Sequence, residues 1–371
     1  LKPVLWDGIY ARGDTAAQVS DAAWLQAMLD VEAALAVAVD APADAARQIA
    51  DACRAENFDV AALAAETARN ATPVVGLVAA LRDAVPESVR EYVHAGATSQ
   101  DIVDTALMLV ARRALEPLLA DARAAADHAA ALARDHRHTP VIARTLLQQA
   151  LPTTFGLRAA GWLVGIDEAC ARLANVRSAE LAVQMGGPVG GGSPRIAARL
   201  AAELGLAEPI MPWGAIRVRP ANLATALGTL AGVLSKVARD VTLLSQQEVA
   251  EVAEGEAGGS SAMAHKRNPV AAVSVLACTK RIPGLVAAVL GAMEQEHERA
   301  AGAWQSEWGT HTELLALTGS AAAWAETMLG GLHVDGDRMA ANLAASPTAD
   351  HPLPDGTQEL IDRALAAHAA A

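Results

Sequence analysis

The sequence predicts an all-α protein on three grounds. Alanine, the strongest helix former, recurs throughout the 371 residues, whereas the aromatic residues that strands favour make up only 3%. Branched aliphatics return at alternating steps of four and three residues, the spacing that lines one face of a helix. Nowhere do several alternating, β-branched runs occur at strand-like spacing. With 53% hydrophobic and 19% charged residues the chain can bury a large core. Its length allows two or three domains.

The elements follow in order. Ser20-Asp21 is a helix start signal, with Trp24, Met28, Val31 and Leu35 spaced behind it along one face. A polar insert, Val93 to Gln100, precedes a long helical stretch from Asp101 through Ile102, Met108 and Leu109 toward His136. Pro117 predicts a kink or a restart within it. Leu157 to Leu181 reads as the next helix, and Met185 to Pro194 is too rich in Gly and Pro to be helical. The clearest periodicity follows Pro220: Leu223, Leu227, Leu230, Leu234, Val237, Val241 and Leu244 form the seam of a long bundle helix. Glu248, Glu251, Glu254 and Glu256 read as a solvated helix face. A second break, Gly255 to Ser261, leads to Asn268-Pro269, and Val270 to His297 reads as a further helix. Beyond Ala345 a Pro-rich stretch closes in a short Ala-rich helix. Domain edges are expected near Thr105 and Ser346, giving an N-terminal helical domain (1–104), a central long-helix bundle (105–345) and a short C-terminal segment (346–371).

There are 29 basic and 42 acidic residues, a formal net charge of -13. Phosphate backbones and anionic lipid surfaces attract cationic faces, so neither nucleic acid nor membrane is an expected partner. A small anionic substrate is compatible, provided a few cations share one pocket. The three cysteines, Cys53, Cys170 and Cys278, are far apart and form no CxxC pair, which indicates neither a disulfide framework nor a zinc site. No uninterrupted apolar run reaches membrane-spanning length, and Leu1-Lys2-Pro3 does not open a signal peptide. A cytoplasmic protein is the expectation.

The chemistry concentrates in three blocks. The loop 258–270, GGSSAMAHKRNPV, places two serines, a lysine, an arginine and an asparagine on glycine-rich backbone, able to close over an anion and expel water. Gly259-Ser260-Ser261-Ala262-Met263-Ala264-His265-Lys266-Arg267-Asn268-Pro269 resembles the fumarase/aspartase superfamily signature G-S-S-x-M-P-x-K-x-N-P. His94-Ala95-Gly96-Ala97-Thr98-Ser99-Gln100-Asp101 resembles that family's first signature region, and Arg144 to Gly156 (RTLLQQALPTTFG) its second, in the family's order. The wording of the first block, the run Glu298-Arg299-Ala300-Ala301-Gly302-Ala303-Trp304 with Glu307-Trp308, and Leu29-Asp30-Val31-Glu32 place the resemblance in the branch of the 3-carboxy-cis,cis-muconate cycloisomerases. The Gly186 to Gly192 loop lacks the GxxxxGK[ST] pattern of phosphate binders.

The resemblance implies a three-part fold with a long central helical bundle, here with a shortened C-terminal domain. It implies a homotetramer whose active sites are each shared by three subunits, and no metal or organic cofactor. These enzymes handle a proton on the carbon beside a carboxylate, through a carbanion delocalised as an aci-carboxylate. The resemblance makes Ser260 the proton-transfer residue and Lys266 its catalytic partner. His94, Thr98, Ser99, Arg144, Gln148, Ser261, Met263, Asn268 and Arg299 become holders of a small polycarboxylate. Arg144 is either a carboxylate ligand or a brace at a subunit interface, and His94 either a substrate ligand or an organiser of its loop. The family's amine-expelling lyases carry a histidine after Arg-Thr; Leu146 stands there and cannot transfer a proton. A carboxylate nucleophile or leaving group, with a pKa near ~4, needs none. Lactone formation from a tricarboxylic muconate, in aromatic-acid breakdown, is therefore the leading expectation. Elimination from a succinyl adduct and a non-catalytic helical scaffold are the alternatives. Ala264 replaces the signature proline, which raises the entropy cost of ordering the loop.

Overall fold

The structure, a computed structural model, describes residues 4–256, 258–263 and 265–370. Four long helices form its centre: Ser99–Asp135, Phe155–Asn175, Val218–Leu244 and Ala303–Gly330. The Ser99–Asp135 helix packs on both Phe155–Asn175 and Ala303–Gly330, and Val218–Leu244 lies against the latter two. Its buried alanines, from Ala122 through Ala133, let neighbours approach closely. All seven residues of the 223–244 seam are buried. Ser20 caps the helix Asp21–Ala38 by accepting a hydrogen bond from the Ala23 amide, as the start signal predicts.

Several expectations are corrected. The Ser99–Asp135 helix runs through Pro117 without a restart, and the domain edge expected near Thr105 falls inside it. The stretch expected as one helix over 270–297 is two, Val270–Thr279 and Ile282–Gly291, divided at Lys280-Arg281 ahead of Pro283. The all-α expectation holds, with two small strand pairings added to it: Pro140–Thr145 and Gln148–Thr154 form an antiparallel hairpin, and Val252–Glu254 pairs with Leu332–Val334. The acidic run is no solvated helix face. The preceding helix ends at Leu244, and Glu251 and Glu254 are buried.

Among the described residues, two helical stretches are long and apolar enough to cross a membrane by length and composition, Val218–Leu244 and Val270–Gly291. The first is a core helix of the bundle, and the second is interrupted by its two central cations. The closing helix Thr357–Ala369 packs on Phe155–Asn175, with Arg137 reaching Asp362 at 2.8 Å.

Beneath these contacts lies a buried charge cluster. Arg217, at the head of Val218–Leu244, donates to Asp104 (2.6 and 3.0 Å) and to Glu307 (2.6 Å from Nη2). Trp304 Nε1 and Gln100 Nε2 also donate to Asp104, and Gln295 to Glu307. Burial works against the Arg217 charge, but the Asp104 and Glu307 carboxylates more than offset it and hold its pKa up. Burial pushes the Glu307 carboxyl up, opposed by Arg217. The cluster pins three helices together at one end of the bundle.

Candidate active site

The signature loop leaves the Val252–Glu254 strand and returns to the helix Val270–Thr279. Its two ends are zipped by Gly258 and Asn268, which exchange backbone hydrogen bonds of 3.0 Å each. Buried Glu254 accepts from the amides of Ala271 (2.9 Å) and Ala272 (2.7 Å), capping the helix that follows. On this base the Ser260 Oγ accepts from the Met263 amide at 3.1 Å and the Ala262 amide at 3.4 Å. Donors of this kind stabilise an oxyanion. Asn268 Nδ2 donates to the Gly259 carbonyl at 3.0 Å. Ser261, Met263 and Lys266 are exposed, and the Lys266 ammonium has no hydrogen-bond or ion-pair partner among the described residues. Met263, Lys266 and Asn268 line an open cleft of about 670 Å³, with Gln246, Glu254 and His333 on its other walls. Ala264 lies outside the described residues.

The first motif sits at the head of the Ser99–Asp135 helix, where Thr98 and Asp101 form a reciprocal capping box. His94 adopts a left-handed backbone, φ +62, unusual for a side chain with a Cβ. Its Nδ1 lies 2.7 Å from Oε1 of Glu32, a carboxylate that is fully buried and whose Oε2 has no partner. The carboxylate accepts a hydrogen bond from Nδ1–H, which fixes the tautomer with Nε2 as the ring's acceptor. Asp101 accepts from the Gly186 (2.8 Å) and Gly187 (2.9 Å) amides, tying the glycine-rich turn to the motif. Burial pushes the Asp101 carboxyl up, against the pull of these amides. Arg299 Nη2 donates to the Gly187 carbonyl, so Arg299 joins His94, Thr98 and Ser99 in one patch.

The second motif forms the hairpin. Thr145 pairs with Gln148 across a two-residue turn in which Leu146 (φ +49) and Leu147 (φ +64) are both left-handed, the pattern of a type I′ turn. Leu146 is 96% exposed and Leu147 72%. Gln148 is exposed beside them. The Arg144 fork is spent on Glu251, at 2.9 and 2.7 Å, and Glu251 also accepts from Asn342. Of the two sequence readings of Arg144, carboxylate ligand or subunit-interface brace, the single chain shows a bracing contact of another kind, from the hairpin to the base of the signature loop.

Three separate patches result: Ser260, Ser261, Met263, Lys266 and Asn268; His94, Thr98, Ser99 and Arg299; and the hairpin tip with Gln148. Among the described residues no hydrogen bond, ion pair or cavity joins one patch to another.

A lyase family model matches residues 9–284. The chain belongs to this lyase family, the fumarase/aspartase superfamily. It is 46% identical to the 3-carboxy-cis,cis-muconate cycloisomerase of Bradyrhizobium diazoefficiens, over 89% of this chain and 77% of that one. It is 44% identical to the nitrosuccinate lyase of Streptomyces davaonensis, over 88% and 74%. Its fold matches the crystal structure of the 3-carboxy-cis,cis-muconate lactonizing enzyme from Pseudomonas putida with a TM-score of 0.89 and 32% identity, covering 99% of both chains.

Within a lyase of this family, three residues that sequence reasoning left without a role now have one. Glu32 orders His94, Glu254 caps the helix behind the signature loop, and Glu251 anchors the hairpin. Glu32 carried a legible signal, because it adjoins Val31 on the apolar side of its helix, where an acid has no reason to be without a partner. Glu251 and Glu254 gave none, since their partners are remote or backbone.

Proposed function

We propose that the chain is a cycloisomerase that closes 3-carboxy-cis,cis-muconate to a carboxymuconolactone. The observation that carries this reading is a loop bearing Ser260, Lys266 and Asn268 in a chain whose hairpin tip, Leu146-Leu147, offers no acid and which is 46% identical to a named cycloisomerase. One substrate carboxylate adds to the double bond, forming the ring C–O bond. The electron pair displaced onto the neighbouring carbon is held by its carboxylate as an aci-carboxylate. That carbon then takes the Ser260 Oγ proton, which solvent replaces. Lys266 and Asn268 grip the aci-carboxylate, because its extra charge is costly unless paired. Arg299, His94, Thr98 and Ser99 receive the remaining carboxylates. The separation of the three patches in one chain supports a site completed by other copies, in a homotetramer with three subunits contributing to each site. Exposed Val273 and Leu290 supply apolar surface for such contacts.

A second reading, elimination from a succinate bearing an anionic leaving group, is favoured by the nitrosuccinate lyase at 44% identity. Such a group also departs without a proton donor at Leu146. Incubation with each substrate, followed by NMR, separates the two. Lactone from carboxymuconate, lost by at least about a thousandfold in Ser260→Ala with the fold intact, supports the first. Unchanged carboxymuconate together with fumarate from nitrosuccinate would establish the second.

A further inference from the structure

Arg299 rests on two glycines. Its Nη2 donates to the Gly187 carbonyl, and its Nη1 donates to the Glu298 carbonyl at 2.8 Å while overhanging Gly214. A Cβ built on Gly214 would stand 2.8 Å from Arg299 Nη1. Its next neighbours, Gln184 Nε2 at 3.4 Å and the Gln100 side chain at 3.6 Å, would be in ordinary contact. Gly214 is not in the left-handed region, so its backbone accepts any L-residue. A Cβ here is therefore opposed by space alone, and the space is occupied by one flexible guanidinium tip.

Both supports of that tip are held from below. The Gly214 carbonyl accepts from Gln100 Nε2 at 2.6 Å and from Arg217 Nη1 at 3.2 Å. Arg217 lies over the ring of Trp213, 5.1 Å from its centroid, and the Trp213 amide donates to Gln184 Oε1 at 2.7 Å. Gly187 is held by Asp101 through its amide. The 213–217 turn and the 186–187 turn thus form a fixed saddle, anchored in the buried charge cluster, with Arg299 seated in it beside the first motif.

We infer that Gly214 is a specificity-determining position: its missing side chain sets where the Arg299 guanidinium stands, and hence which substrate carboxylate the site accepts. This rests on the reading of Arg299 as a carboxylate ligand. A methyl group at 214 pushes the guanidinium off the saddle without touching the loop that carries Ser260. Each Nη of Arg299 keeps a second N–H beside the one it gives to a carbonyl, and an anion gripped by those remaining donors is sensitive to such a shift, because their bonds must align.

The experiment is a double-mutant cycle on the assembled enzyme with 3-carboxy-cis,cis-muconate, using Gly214→Ala, Arg299→Ala and the pair. Gly214→Ala should raise KM about tenfold, the size of one charge-assisted hydrogen bond, with kcat changed less than about twofold. The pair should be no worse than Arg299→Ala alone, since the methyl group then has nothing to displace. Arg299→Lys supplies a second background, in which the thinner ammonium leaves room and Gly214→Ala should cost little. Additive effects in the cycle would overturn the inference, as would a normal KM for Gly214→Ala beside a raised one for Arg299→Ala. So would a large drop in its melting temperature, which would mean that something other than a flexible tip had to yield. A normal KM for Arg299→Ala would instead remove Arg299 from the site and overturn the reading beneath.

Discussion

Around Arg217 the chain spends its charges on itself: one guanidinium, two carboxylates, an indole and two amides are closed off from water at one end of the bundle. In the 258–269 loop and at the 145–148 hairpin tip the same chain leaves a lysine, an exposed serine and two leucines with no use inside the monomer. In the first region every charge is paired; in the second the Lys266 ammonium and the apolar tip are left over. Glycine turns tie the first region to the patch of His94 and Arg299, while the Arg144–Glu251 pair ties the hairpin to the base of the signature loop within the second. A site of this kind separates the residues that set geometry from those that meet the substrate.

The comparison breaks most severely at Arg217. Arg217→Ala strands the Asp104 and Glu307 carboxylates in the core, and unfolding in urea should show a loss of about 3–5 kcal/mol. Arg217→Met combined with Asp104→Asn and Glu307→Gln removes the charges together and should recover most of that loss. If the single variant is as stable as the parent, the cluster is not what pins the three helices.

A smaller effect belongs to His311, one turn beyond Glu307 and fully buried, with neither ring nitrogen hydrogen-bonded. Burial, aided by the nearby Arg217 charge, pushes its pKa down to about 3 from the ordinary 6.5. The unfolded chain binds a proton at this residue as pH falls through 6.5, while the folded chain resists until about 3. Stability from this group is therefore full above 6.5 and is lost as pH falls, by up to about 1.4 kcal/mol per pH unit. Urea melts at pH 7, 5 and 4 should show His311→Leu losing less stability on acidification than the parent. Equal slopes would mean that the histidine is already protonated, or hydrated, in the fold.

What was legible in the sequence follows the same division. The long helices were readable because their signal is local: the 223–244 seam repeats within a few residues and all of it is buried. The three motifs were readable for the same reason, as was Ser20 at its cap. The hairpin was not, because Leu-Leu is not a hairpin turn signal and 140–154 does not alternate cleanly. Glu251, read as solvated, is buried because its partners Arg144 and Asn342 lie 107 and 91 residues away. Glu32 and His94 meet across 62 residues. At such distance the partner leaves no local trace, even where, as at Glu32, the buried acid itself does.

The hairpin tip offers the finest test of the comparison. Type I′ turns favour Asn-Gly because both central residues need positive φ, and leucine at each position costs roughly 1 kcal/mol of backbone strain. A chain selected for its own stability alone would not keep two exposed leucines there. Leu146→Asn with Leu147→Gly should therefore raise the melting temperature of the dilute protein by about 2–3 °C, as the roughly 2 kcal/mol released at the two positions does in a chain of this size. Under the proposed shared site the same substitution should lower kcat/KM at least about tenfold, because the apolar tip is then lost from it. A stabilised variant with unchanged kcat/KM would place the tip outside the catalytic assembly. A variant that gains no stability would mean that the left-handed leucines carry no strain for the substitution to relieve, and that the tip is no less settled than the core it projects from.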